Sequence, residues 1–168
     1  MTRDEVLKTA RFAGSIRRYH TWPVLQQQTN GEHTWNCMRI YFQIWGPIPP
    51  EVSTYFIWHD AGELVLGDLP FPVKQNHSHL KRECDYIESQ AVTDMGGDKI
   101  TLIQSGKRAK LCDLLDMHEF GKVEVNLGNQ YGVPIVADTQ AAIVRLLDEM
   151  PLEDRRLVDD YRSRVGSV

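Results

Sequence analysis

The sequence predicts an all-α protein, and three observations carry that expectation. Apolar residues recur at three- and four-residue spacing along most of the chain, the mark of helices with one buried face. Strict two-residue alternation is not sustained anywhere; residues 100–104 (ITLIQ) and 122–127 (KVEVNL) come nearest. Glycine and proline stand where the helical patterns stop, at Gly14, Gly46-Pro47, Gly67, Gly96-Gly97 and Pro151. With 168 residues and neither an internal repeat nor a low-complexity tract, the chain is expected to form a single domain over residues 1–168.

The first helix is expected over residues 2–13, with Val6, Leu7 and Ala10 on one side and Gly14 as its stop. An irregular stretch follows, SIRRYHTWPVLQQQTNGEH, in which Trp22-Pro23 resists helix because proline disfavours the α region for the residue before it. A tryptophan held there beside Arg17 and Arg18 has two readings. It stacks on a flat ligand while the guanidiniums meet phosphate, or it lids the core above two solvated arginines.

A second helix is expected from about residue 32 to 45, with His33 on the same side as Cys37, Ile40 and Ile44. A third starts at Pro49-Pro50-Glu51, where proline is tolerated and an acid favoured, and runs to Gly67. The segment GDLPFPVK then reads as an ordered loop because two prolines fix φ. Residues 77–92 form the next helix, with Lys74, Lys81 and Arg82 as candidate phosphate contacts or, equally, solvated charges. Helix is also expected over 107–119, loop over 121–132, and helix over 134–150 and 151–165. Asp113 and Asp116 sit among the leucines of the 107–119 segment, and since such a carboxylate seldom goes unpaired, one of them faces a cation.

The chemistry concentrates in His59-Asp60-Ala61-Gly62-Glu63. A histidine and an aspartate side by side in an apolar run place two metal donors where a core would otherwise be, which is costly unless something binds there. On a continuous helix Glu63 lies one turn beyond His59 and Asp60, so that a base sits beside the metal. His33 reaches the same region if the two helices run antiparallel through their short Gly/Pro connection.

Taken together, His33, His59-Asp60 and Asp113 resemble the H...HD...D set of the HD-domain phosphohydrolases. The match extends to WP at 22–23, EH at 32–33, HDAGE at 59–63, GDLPFPVK at 67–74 and KLCD at 110–113. In these features the chain is similar to the HD-family 5'-deoxynucleotidases and, in its compact length and Trp22-Pro23-Val24, most similar to phage dATP triphosphohydrolases, which deplete dATP. The resemblance covers about residues 10–120. It implies an all-helical fold and a divalent metal held by His33, His59, Asp60 and Asp113. It further implies that Glu63 assists the water or the leaving group, and that Asp68 helps arrange the site. Two imidazoles and two carboxylates suit Mn, Fe, Co, Ni or Zn, with a second ion, Mg, as a further expectation.

The deoxynucleotidases carry an arginine directly before Trp-Pro where this chain has Thr21, leaving Arg17 or Arg18 to stand in. The expected reaction is removal of triphosphate from dATP. The alternatives are hydrolysis of deoxynucleoside monophosphates and a non-catalytic nucleotide-binding module. Trp22 and Val24 are expected at the base, and Arg17, Arg18, Lys74 and Lys81 at the phosphates. Relatives of this kind form homo-oligomers, so self-association is expected as well.

Composition excludes other classes. The net charge is -4 and the basic residues are spread along the chain, so no nucleic-acid groove is expected. The N-terminus is too charged for a secretory signal, and no run approaches the roughly 18 apolar residues of a membrane span. Three cysteines without CxxC spacing read as reduced thiols, and the expected compartment is the cytoplasm, a host's if the gene belongs to a phage.

Overall fold

A computed structural model describes residues 3–69, 77–97 and 105–166. Eight helices occur among the described residues: α1 (Arg3–Ala13), α2 (Asn30–Trp45), α3 (Pro50–Trp58), α4 (Glu63–Leu66), α5 (Ser78–Asp94), α6 (Ser105–Asn126), α7 (Gly132–Asp148) and α8 (Leu152–Val165). The all-α expectation holds, for the only extended pairing there is an isolated antiparallel bridge between Arg17 and Thr29. No helix among the described residues is long and apolar enough to cross a membrane. The ITLIQ segment lies outside them, and KVEVNL is helical up to Asn126.

The chain divides into two compact units that alternate along the sequence. One comprises Met1–Thr34 and Thr54–Thr101, the other Trp35–Ser53 and Leu102–Val168.

In the first unit, Ala13, Ala61, Val92 and Met95 form a small buried core, with Trp58 and Leu64 packed against it. The stretch before α2 is fastened to the end of α1 by Gly31 N–H donating to Gly14 O at 2.9 Å, Asn30 N–H to Ile16 O at 2.9 Å and Arg18 N–H to Gln28 O at 2.8 Å. Helix α2 begins two residues earlier than its apolar pattern indicates. Thr29 Oγ1 accepts from the Glu32 N–H at 3.2 Å, while Glu32 Oε2 accepts from the Thr29 N–H at 2.7 Å. This reciprocal cap satisfies two otherwise orphaned donors and fixes the helix start.

The helix expected from Pro50 to Gly67 is interrupted. After Trp58 the backbone turns tightly, with Glu63 N–H bonding Asp60 O at 3.1 Å and Leu64 N–H bonding Ala61 O at 3.2 Å, so His59 to Gly62 lie in a turn and not on a continuous α-helix. Gly62 explains the geometry, because a Cβ there would stand 2.5 Å from the Glu88 carbonyl oxygen of α5. The backbone of α5 comes so close that only glycine fits.

In the second unit, the expected loop over 121–132 is in large part the last turns of α6. Gly121 lies inside that helix because α7 crosses it closely: a Cβ at Gly121 would meet Ile135 and Val136 methyl carbons at 3.0 Å. Leu111, Leu115, Ile143 and Val158 are fully buried in this unit. Asp154, in the first turn of α8, accepts from Trp45 Nε1 at 2.8 Å and pairs with Arg108 at 2.9 Å, so its buried carboxylate is compensated.

Candidate active site

In the first unit His33, His59 and Arg18 gather around the Asp60 carboxylate, and the carboxylates of Asp60 and Asp68 both act on Glu63. Asp60 Oδ2 lies 3.3 Å from His59 Nε2, 3.6 Å from His33 Nε2 and 2.5 Å from an Arg18 guanidinium nitrogen. His33 is fully buried, and the two imidazole rings are 5.3 Å apart. The ring of His59 is stacked on Tyr55 at 5.4 Å, which fixes its plane.

His59 Nδ1 lies 2.9 Å from the Phe56 carbonyl oxygen. A carbonyl only accepts, so Nδ1 carries a proton and donates it, which turns Nε2 toward the Asp60 carboxylate. Imidazole nitrogens and a carboxylate within 4 Å are the donors that a divalent transition metal takes, so these residues fit such an ion. The nearest ring nitrogens of His33 and His59 lie within 4.8 Å of each other.

Glu63 opens α4 and is buried. Burial, reinforced by the Asp60 and Asp68 carboxylates, pushes its carboxyl up to about 7 against the opposing pull of Arg18 and of the hydrogen bond from Asn30. Asn30 Nδ2 donates to Glu63 Oε2 at 2.9 Å and to the Asp60 carbonyl at 3.2 Å. Sequence reasoning missed Asn30. Its signal is the Thr29-x-x-Glu32 cap, which puts Asn30 in the first turn of α2, three residues before His33 and therefore on the same face.

Asp68 does not point to open solvent. Its Oδ2 accepts the Tyr19 N–H at 3.0 Å, and Tyr19 is the only non-glycine residue with positive φ, +56°, among the described residues. An L-residue in that region costs roughly 1–2 kcal/mol. The bond from Asp68 helps hold the conformation, which presents Arg18, the preceding residue, to Asp60.

Of the two candidate arginines, Arg18 is buried against Asp60, whereas Arg17 is exposed. Trp22 and Val24 are half-buried in the same loop, tied by backbone bonds from Trp22 N–H to Tyr19 O at 2.9 Å and from Val24 N–H to Trp22 O at 2.8 Å. Lys81 is exposed on α5 and ion-paired with Asp85. Lys74 lies outside the described residues. Asp113 belongs to the second unit, on α6, where it is buried and paired with Lys110; Asp116 is buried on the same helix.

A family described as 5'-deoxynucleotidase YfbR-like matches residues 15–99. Among individual proteins, the chain is similar to a 5'-deoxynucleotidase of Erwinia tasmaniensis, 28% identical over 102 residues that make up 61% of this chain and 46% of that protein. It is likewise similar to the 5'-deoxynucleotidase YfbR of Escherichia coli, 30% identical over 99 residues, 59% of this chain and 45% of the relative. The chain thus matches about half the length of these relatives. Among solved structures, it shares its fold with the cyanophage S-2L HD phosphohydrolase DatZ bound to dA and one catalytic Zn2+ ion, at a TM-score of 0.75 and 19% identity, over 96% of each chain.

Proposed function

The chain belongs to the YfbR-like 5'-deoxynucleotidase family, and from that premise we propose that it is a metal-dependent phosphohydrolase removing the 5'-phosphate of deoxynucleoside monophosphates. The observation that carries the reading is the convergence of the His33 and His59 nitrogens on Asp60 beside a buried Glu63. Matches to 5'-deoxynucleotidases rank this substrate class above the dATP triphosphohydrolase expected from the motifs.

His33, His59 and Asp60 would hold the ion. When bound, a divalent ion supplies charge neutralisation at the phosphate and an acidified water. Glu63, with its carboxyl near 7, exists in both protonation states around neutral pH. That is the condition for taking a proton from the attacking water and returning one to the leaving 5'-oxygen. Arg18 brings a guanidinium to the phosphate oxygens and Asp68 positions it through Tyr19; Arg17, Lys74 and Lys81 are proposed as phosphate contacts on the strength of the sequence. Trp22 supplies a face for the base, and Val24 an apolar wall at its edge.

A second reading, a dATP triphosphohydrolase, is favoured by one observation: the likeness to the phage phosphohydrolase runs over 96% of both chains, whereas the nucleotidase matches stop at about half. The test is product analysis with dAMP, dATP and AMP after loading with Mn, Co or Zn. Orthophosphate from dAMP supports the first reading, and inorganic triphosphate from dATP with dAMP untouched supports the second. Tight nucleotide binding without turnover in any metal would sink both and leave a binding module.

A further inference from the structure

The second unit contains a cavity of about 300 Å³ that the proposed reaction does not use, lined in part by His118, Glu119 and Lys122 of α6 and by Tyr161, Arg162 and Ser163 of α8. Its charge is unbalanced. Glu119, the one carboxylate in its lining, is already engaged: Arg39 donates to Oε2 at 2.7 Å and the Tyr161 hydroxyl donates to Oε1. Arg39 and Glu119 cancel, leaving Lys122 and Arg162. Arg162 donates only to the neutral amide oxygen of Gln140, and half-buried Lys122 has neither hydrogen bond nor ion pair among the described residues. Two uncompensated cations on one cavity wall are unusual in a chain whose net charge is -4.

Histidine 118 reads the same field. After burial, the charges of Arg162 and Lys122 are what lower its pKa, so both reach the side of the cavity that His118 lines. The Thr139 hydroxyl donates to Ile135 O at 2.6 Å, so it is His118 Nδ1–H that donates to Thr139 Oγ1 at 3.1 Å. The C-terminal end of α8 adds roughly half a negative charge near the cavity, less than the two whole positive charges facing it.

We infer that this cavity is an anion site for a phosphate group, held by Lys122 and Arg162. The volume suits a small phosphate-bearing molecule, at the lower end of ordinary ligand pockets. Free phosphate and the phosphate of a nucleotide share this chemistry. The site is built from residues of the second unit alone and stands independently of the nucleotidase reading.

The test follows the His118 ring signals by NMR in the full, metal-loaded chain, assigned by their loss in His118→Gln. The probes are inorganic phosphate, the non-hydrolysable 5'-methylenephosphonate of deoxyadenosine, deoxyadenosine, and sodium chloride at matched ionic strength. Inorganic phosphate or the phosphonate should move the signals saturably. The half-saturation concentration should rise about tenfold or more in Lys122→Gln, the worth of one charge-assisted hydrogen bond, and recover in Lys122→Arg. A response to the phosphonate alone identifies a nucleotide, and a stronger one to inorganic phosphate identifies the free ion. Signals that ignore both, that follow chloride or deoxyadenosine equally well, or that respond identically in Lys122→Gln overturn the assignment.

Discussion

Asn30 Nδ2 stands 2.9 Å from Glu63 Oε2, joining the first turn of α2 to the start of α4 across 33 residues of sequence. The bond sets the orientation of a carboxyl that burial pushes up to about 7. Glu63→Gln keeps its shape and the Asn30 contact but cannot accept a proton. Metal content should survive while kcat falls by roughly 10² to 10⁴, the usual worth of general acid-base help. An unchanged kcat would remove Glu63 from the reaction.

The same substitution changes stability with a definite sign. The carboxyl is raised from 4.5 to about 7 in the folded protein, so the native state prefers it protonated. Its stability contribution is complete below pH 4.5, is lost as pH rises toward 7, and is level above that. In metal-free protein, Glu63→Gln should therefore match wild type near pH 4.5 and melt higher at pH 8, by a difference on the order of 3 kcal/mol. Calorimetry at the two pH values decides the matter, and equal melting temperatures at pH 8 would contradict the burial argument.

Asp60→Ala should abolish metal retention and turnover together, since it removes the carboxylate shared by His33, His59 and Arg18. It also strands Arg18, whose side chain is 8% exposed, and breaking a buried pair in this way costs about 3–5 kcal/mol. Elemental analysis and a melt on one preparation separate the effects. Full metal content at the wild-type rate would place the centre elsewhere.

Gly62→Ala tests the turn beneath the histidine. Its Cβ would collide with the Glu88 carbonyl at 2.5 Å, and overpacking of this kind costs typically about 1–3 kcal/mol. The melting temperature should fall by roughly 3–10 °C, with metal affinity reduced in the folded fraction. A variant as stable as wild type would show that the close approach of α5 does not hold in solution.

Trp22→Ala should raise KM for every deoxynucleotide if the ring stacks on the base, at a cost of roughly 1–3 kcal/mol. Val24→Gly should chiefly relax selection against guanine, whose exocyclic amino group an apolar wall leaves without a partner. The ratio of kcat/KM for adenine and guanine substrates is the readout. The same ratio in wild type and Val24→Gly would take this loop out of base recognition.

That His59 and Asp60 belong to a polar cluster was legible because their types are hard to explain otherwise: a His-Asp pair in an apolar run is a chemical oddity at any distance from its partners. The turn that carries them was not legible, since the need for glycine at position 62 arises from the backbone of Glu88, 26 residues away. Gly121 misled for a related reason. It reads as a loop residue, yet it serves the crossing of α6 with α7, and tertiary approach outweighs its poor helix propensity. Periodicity did not separate Arg17 from Arg18, because neither sits on a regular element and only contact with Asp60 distinguishes them. Asn30 was hidden behind a cap whose two residues, Thr29 and Glu32, were in plain view.

The alternation of the two units along the chain bears on synthesis. Ile40 and Tyr41 leave the ribosome well before the segment Leu102–Val168 that completes their unit is made. At roughly 5–20 residues per second, the stretch Trp35–Ser53 waits on the order of 6–25 seconds for its partners. During that interval its apolar face is exposed to nascent-chain chaperones and to neighbouring copies on the same message, so slower translation should lower the soluble yield.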